Sequence, residues 1–242
     1  MLRQPLKYLR LGATEPKFCV ALFHGLGGSR NELKPLAERW RDALPTTAFV
    51  LFEAPDRDYF ARTLLSGEWS GDWHRFPHLR SAFRDDESYA AMVTRCVSER
   101  CDHVSAELDT HLAEMGLGDE QLVLAGFSQG AAISAYTGLR RQCLGIVPVG
   151  GPCPPRPELL PENDHTHICA IVGDADHCAP HEEISRIFAQ YDAASGDAAR
   201  SCTTHVIPGM GHTVGPEIVG TIALEFLQRL LRLADNRAAS EA

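Results

Sequence analysis

The 242-residue chain holds 23 Lys and Arg against 32 Asp and Glu, a formal net charge of -9, with 44% hydrophobic and 23% charged residues. The negative balance argues against a nucleic-acid partner, whose phosphates need a positive field. No apolar run reaches the roughly 18 residues of a spanning helix, so no stable membrane anchor is expected, and the length suits one α/β domain over residues 1–242.

The first residues, MLRQPLKYLRLGATEPK, are basic but lack the continuous apolar core of a secretory signal. Leu6 to Leu11 alternates weakly and reads as an edge strand. Phe18 to Phe23 is an unbroken apolar run of strand length, which implies burial on both faces. His24-Gly25-Leu26-Gly27-Gly28 follows, a glycine-rich loop whose backbone can turn its N–H groups toward a cavity. Asn31 to Ala43 has helical spacing through Leu33, Leu36, Ala37 and Trp40, and Pro45 stops it. Thr47 to Glu53 is the next apolar strand.

Residues 56–85 break the rhythm. They carry Tyr59, Phe60, Trp69, Trp73, Phe76 and Phe83 without a clear period, and read as a lid or pocket wall. Asp86 to Met115 regains helical spacing, with an aspartate to cap its start and Gly116 to end it. Gln121 to Ala125 is a short buried strand leading into Gly126-Phe127-Ser128-Gln129-Gly130, and a small-residue helix follows to about Arg141.

Leu144 to Val149 is another strand, and Gly150 to Pro161 a proline-rich loop. Ile168 to Val172 is a strand, Pro180 to about Ala193 a helix, and Cys202 to Ile207 a strand. The last helix is expected over about Gly215 to Leu233, with Ala234–Ala242 as a frayed tail. Strands alternating with helices imply a mostly parallel sheet with helices on both faces. Ligands of such sheets sit at the carboxyl ends of the strands.

Four stretches meet that edge. G-x-S-x-G between a strand and a helix is the context of a nucleophile elbow, with Ser128 at its tip. A serine hydroxyl needs a base, and the base needs an orienting group. Asp174 and Asp176 both follow the strand Ile168–Val172, and either could orient the base. Of eleven histidines, His212 alone combines a post-strand loop near the C-terminus with a flanking glycine. His24 could line the site without being the base. His74, His78, His103 and His111 read as surface or lid residues. His177 and His181 have the spacing of a metal pair, but Pro180 stands between them, so no metal is expected. The two N–H donors for a developing oxyanion would come from Gln129, after the nucleophile, and from Leu26 in the glycine loop.

With these residues placed, the chain resembles the phospholipase/carboxylesterase family that includes the acyl-protein thioesterases. The likeness rests on Leu22-Phe23-His24-Gly25-Leu26-Gly27-Gly28, Gly126-Phe127-Ser128-Gln129-Gly130-Ala131, Gly173-Asp174-Ala175-Asp176-His177-Cys178-Ala179-Pro180 and Gly209-Met210-Gly211-His212. It implies an α/β-hydrolase fold and hydrolysis of carboxylic esters or thioesters without a cofactor. It selects Asp176 as the acid of a Ser128–Asp176–His212 set. The family usually has two valines where this chain has Cys178 and Ala179.

His24, Trp73, Phe76 and Cys178 are expected to line the substrate pocket. The expected partner is a small-molecule ester or thioester, and the expected state a monomer or homodimer. The alternatives are an inactive ligand-binding protein on the same fold, or a hydrolase of another acyl substrate, such as a peptidase or a biosynthetic tailoring enzyme. The eight cysteines form no C-x-x-C pair. Without an export signal they suggest reduced thiols and a cytoplasmic protein.

Overall fold

The computed structural model describes residues 5–58, 70–73, 86–151, 165–194, 201–215 and 217–241. Its centre is a seven-stranded sheet. The strands are β1 (Tyr8–Gly12), β2 (Phe18–Phe23), β3 (Thr47–Phe52), β6 (Leu122–Phe127), β7 (Gly145–Val149), β8 (His167–Gly173) and β9 (Cys202–Ile207). They lie side by side in the order β1-β3-β2-β6-β7-β8-β9. Only β1 runs antiparallel, against β3; every other pair is parallel. Two short strands, β4 (Asp56–Asp58) and β5 (Ser70–Asp72), pair antiparallel as a separate ribbon.

The helices are α1 (Lys34–Ala43), α2 (Asp86–Met115), α3 (Gln129–Arg141), α4 (His181–Ala194) and α5 (Glu217–Glu241). They cover both faces. Cys19, Ala21 and Phe23 of β2 pack in one core with residues of α2, α3 and α4. Phe18, Val20 and Leu22 of the same strand pack in a second core with α1 and α5. This is why β2 is apolar at every position rather than at alternate ones. The Trp40 indole N–H donates to the Gly220 carbonyl at 3.0 Å and ties α1 to α5.

The ends of the elements follow local chemistry. Gly116 takes φ +67° after α2, and the Leu117 amide reaches back to the Leu112 carbonyl at 3.0 Å. That is the left-handed glycine cap foreseen at this position. The expected frayed tail is corrected: α5 runs on to Glu241. The apolar period stops at Leu233, but residues 234–241 contain neither glycine nor proline and include three alanines, so helix propensity carries the helix past the apolar period. Of the 56–85 excursion, only β4, β5 and Trp73 fall within the described residues.

Parallel order brings the ends of β2, β6, β8 and β9 to one edge. The loops after these four strands carry Gly25–Gly28, Ser128, Asp176 and His212.

Candidate active site

Ser128 sits between β6 and α3 with φ 54° and ψ −117°, a conformation L-residues rarely adopt. The flanking glycines make the turn possible. A Cβ on Gly126 would strike the Gly130 carbonyl, and one on Gly130 would strike the carbonyls of Phe23 and His24. Strain of this kind costs about 1–3 kcal/mol and persists only where the surroundings enforce it. Here the Ser128 amide donates to the Val149 carbonyl at 3.0 Å, and the Ser128 carbonyl accepts from the Ala131 amide at 2.9 Å. Both ends of the turn are therefore pinned, one to β7 and one to the first turn of α3.

His212 lies beyond β9. Its Nε2 is 2.9 Å from Ser128 Oγ, and its Nδ1 is 2.8 Å from Asp176 Oδ2. The other carboxylate oxygen, Oδ1, accepts the amides of Cys178 and Ala179, each at 2.9 Å. Asp176 is 4% exposed. An ionised carboxylate only accepts, so Nδ1 must carry the imidazole proton and Nε2 is left as an acceptor. The three side chains thus form one chain of hydrogen bonds from a buried anion to a hydroxyl.

Asp174 has a different place. It is exposed, and its Oδ1 accepts the Gly209 amide at 2.6 Å. The Ala175 amide donates to Met210 and the Asp174 amide to Ile207. These three bonds fasten the loop that bears His212 to the loop that bears Asp176. Gly150, with φ +51°, closes the site from behind; a Cβ there would come within 3.2 Å of Asp176 Oδ2. The Phe127 ring stands 5.0 Å from the His212 ring, centroid to centroid.

The glycine loop is held by His24. Its Nδ1 lies 2.7 Å from the Gly25 carbonyl, and its Nε2 accepts the Ala54 amide at 3.0 Å. Nδ1 therefore donates, and the ring is neutral. Burial pushes its pKa below the usual histidine value, against the opposing pull of the Gly25 carbonyl and the Glu53 charge. Trp73 supports it: the indole N–H donates to the His24 carbonyl at 2.8 Å, and the Trp73 amide donates to Gln129 Oε1 at 3.2 Å. The Arg100 guanidinium donates to the Trp73 carbonyl at 2.5 Å.

His24 and Trp73 were expected in the pocket wall. Both are instead buried, at 1% and 0% exposure, with their polar atoms turned to the backbone behind the serine. His103 and His111, expected at the surface, are buried on α2: His103 lies 3.7 Å from Glu107, and the His111 ring stands 4.3 Å from that of Tyr8. Phe76 lies outside the described residues. Cys178 is exposed beside Asp176 and His212. The amides of Leu26 and Gln129 have no hydrogen-bond partner among the described residues.

The supporting side chain of Gln129 and the clamp made by Asp174 are not evident from the sequence. The residue spacing showed only a polar residue after the nucleophile and a second aspartate in a turn. Among the described residues, no helix is long and apolar enough to cross a membrane.

Residues 10–231 match the sequence profile of a family described as phospholipase/carboxylesterase. An acyl-protein thioesterase 1 of Cryptococcus neoformans is 30% identical over 148 residues, which cover 59% of this chain and 58% of that protein. An acyl-protein thioesterase 1 of Neurospora crassa is 26% identical over 230 residues, 90% of this chain and 89% of its own length. Among solved structures, the esterase PE8 superposes with a TM-score of 0.78 at 26% identity, covering 94% of this chain and 100% of its own.

Proposed function

The chain belongs to the phospholipase/carboxylesterase family of α/β-hydrolases, and from that premise we propose that it is a serine hydrolase cleaving carboxylic esters or thioesters through an acyl-enzyme on Ser128. The observation that carries this reading is the unbroken pair of hydrogen bonds, Ser128 Oγ to His212 Nε2 at 2.9 Å and His212 Nδ1 to Asp176 Oδ2 at 2.8 Å.

Ser128 Oγ attacks the acyl carbonyl while His212 Nε2 takes its proton. Asp176 holds the imidazole in the tautomer that can accept, and stabilises the imidazolium that forms. The negative oxygen of the tetrahedral intermediate is met by the Leu26 and Gln129 amides; one such donor contributes about 3 kcal/mol to barrier lowering. His212 returns the proton to the leaving alcohol or thiol. A water activated by the same nitrogen then releases the acid and restores Ser128. His24 and Trp73 act as positioning residues, since they fix the loop that carries Leu26.

The candidate substrates include S-acylated peptides, a reading supported by the relatives' name, acyl-protein thioesterase. Six free cysteines among the described residues fit a reducing compartment such as the cytoplasm.

The test is covalent. A fluorophosphonate probe should label Ser128 in the folded protein, and Ser128→Ala should lower turnover of a short aryl ester by at least about 10⁴-fold. Absence of labelling at Ser128 would refute the proposal. A panel of short-chain esters, acyl-CoA and S-acylated peptides would then rank the substrates.

A further inference from the structure

Three side chains able to bind a metal meet at the outer flank of the base. One ligand atom each from Asp176, Cys178 and His212 lie within 4.8 Å of one another. Two of these residues are fixed by the hydrogen bonds already described. The third, the Cys178 thiol, takes no part in the proton path. It is exposed on the turn between β8 and α4. Four other thiols, Cys19, Cys101, Cys143 and Cys169, are buried, and burial pushes each up to about 12. Cys178 is thus a solvent-accessible sulfur beside an imidazole and a carboxylate.

Cysteine, histidine and aspartate are the ligand types of zinc. Tetrahedral zinc takes sulfur at about 2.3 Å, nitrogen at about 2.0–2.1 Å and oxygen at about 2.0–2.2 Å, which sets the ligand atoms about 3.3–3.6 Å from one another. The Asp176–His212 pair, hydrogen-bonded at 2.8 Å, must open by about 0.5 Å to admit the ion between its two ligand atoms. Cys178 Sγ lies within 4.8 Å of the other two ligand atoms, and a χ1 rotation of this exposed side chain can bring it closer. A single cysteine on a loop would not suffice; the second and third ligands are what make the site.

We propose that Asp176, Cys178 and His212 form an inhibitory site for Zn²⁺ rather than a cofactor site. On binding, the Cys178 thiol releases its proton to solvent. Its thiolate, a carboxylate oxygen of Asp176 and one imidazole nitrogen then bond to the ion, and a water fills the fourth position. No electron is transferred. A neutral imidazole has one nitrogen lone pair outside the ring current. Whichever nitrogen gives that pair to zinc, none remains for the Ser128 proton. The ion also replaces the Asp176–His212 hydrogen bond that orients the ring. The inhibitory half of the proposal rests on His212 being the base of a hydrolase; the binding half does not.

The experiment separates the two halves. The chelator-treated full chain is titrated with Co²⁺ and read by the thiolate-to-cobalt charge-transfer band in the near ultraviolet. The expected result is one ion per chain, loss of the band in Cys178→Ser and in Cys178→Val, and affinity weakened at least about 10–100-fold in His212→Gln. In parallel, ester turnover is measured against free Zn²⁺. Half-inhibition should need about 10–100-fold more zinc in both Cys178 variants, each referred to its own metal-free rate, and a chelator should restore the wild-type rate. A band that survives Cys178→Ser, or no band in the wild type, overturns the proposal. Zinc inhibition equal in all variants overturns the inhibitory half. If the protein hydrolyses no ester, the hydrolase reading fails while the cobalt band still decides the site.

Discussion

Replacing Asp176 by asparagine tests the proton path with little change of shape. The side chain is isosteric, so its retained oxygen can still accept the Cys178 and Ala179 amides, each now 2.9 Å from Oδ1. The new NH₂ then faces His212 Nδ1, where an acceptor stood at 2.8 Å. Two donors cannot share that contact, so Nδ1 must become the acceptor and Nε2 must hold the proton. His212 would then donate to Ser128 Oγ instead of accepting from it. Flipping the amide restores the tautomer but sets NH₂ against the part-buried Cys178 amide and the buried Ala179 amide. Each orphaned donor costs about 1–3 kcal/mol, or about 2–6 kcal/mol together. Loss of the anion beneath the imidazolium adds to that. A fall in kcat of about 10³–10⁴-fold is expected, with a melting temperature close to wild type. Asp176→Ala should match the loss of rate but also leave both amides without an acceptor, lowering the melting temperature by at least about 4 °C. The assay is hydrolysis of a p-nitrophenyl ester, with thermal unfolding followed by circular dichroism. Asp176→Asn turning over within tenfold of wild type, with its fold intact, would refute the argument.

The Asp174 clamp gives a second prediction: Asp174→Ala frees the Gly209 amide and, at about 1 kcal/mol for an exposed bond, should lower kcat several-fold with KM unchanged, while Asp174→Asn, which keeps an acceptor, should restore it. A third concerns pH. Burial pushes the thiols of Cys19, Cys101, Cys143 and Cys169 from about 9 up to about 12, so their contribution is complete below pH 9 and is lost as pH rises toward 12. At pH 10 each should have lost on the order of 1 kcal/mol; urea midpoints that stay flat from pH 8 to 10 would contradict it. On the acid side the buried neutral His24, with its pKa held below 6.5 by burial, should make stability fall as pH drops below 6.5, and a variant with an uncharged ring-sized residue should flatten that slope.

What the sequence disclosed and what it hid have a common cause. The convergence of Ser128, Asp176 and His212 was legible because each follows a strand, buried throughout before Ser128 and Asp176 and half-exposed at the sheet edge before His212, and a parallel sheet brings the ends of such strands to one edge; between Asp174 and Asp176, which share a strand end, only the family resemblance chose. The asset there is topology, which needs no knowledge of side-chain direction. His24 follows a strand too, yet its ring turns inward, because its partner is the Ala54 amide, 30 residues on, and Trp73 lies on its other side. Nothing local distinguishes a histidine that faces a cavity from one that faces the backbone of another loop. The ribbon β4–β5 was equally hidden: three residues per strand are too few to show a period, although it delivers Trp73 to the rear of the site. The same reasoning explains the missed length of α5, where the apolar stripe ended before the helix did. Periodicity reports what is buried, and helix propensity can outlast burial. It follows that the meeting of Ser128, Asp176 and His212 is written in strand ends, whereas the shell that holds the glycine loop in place is written only in contacts between distant segments. Substitutions in that shell, at Trp73 or the side chain of Gln129, should therefore alter turnover with Ser128, Asp176 and His212 unchanged.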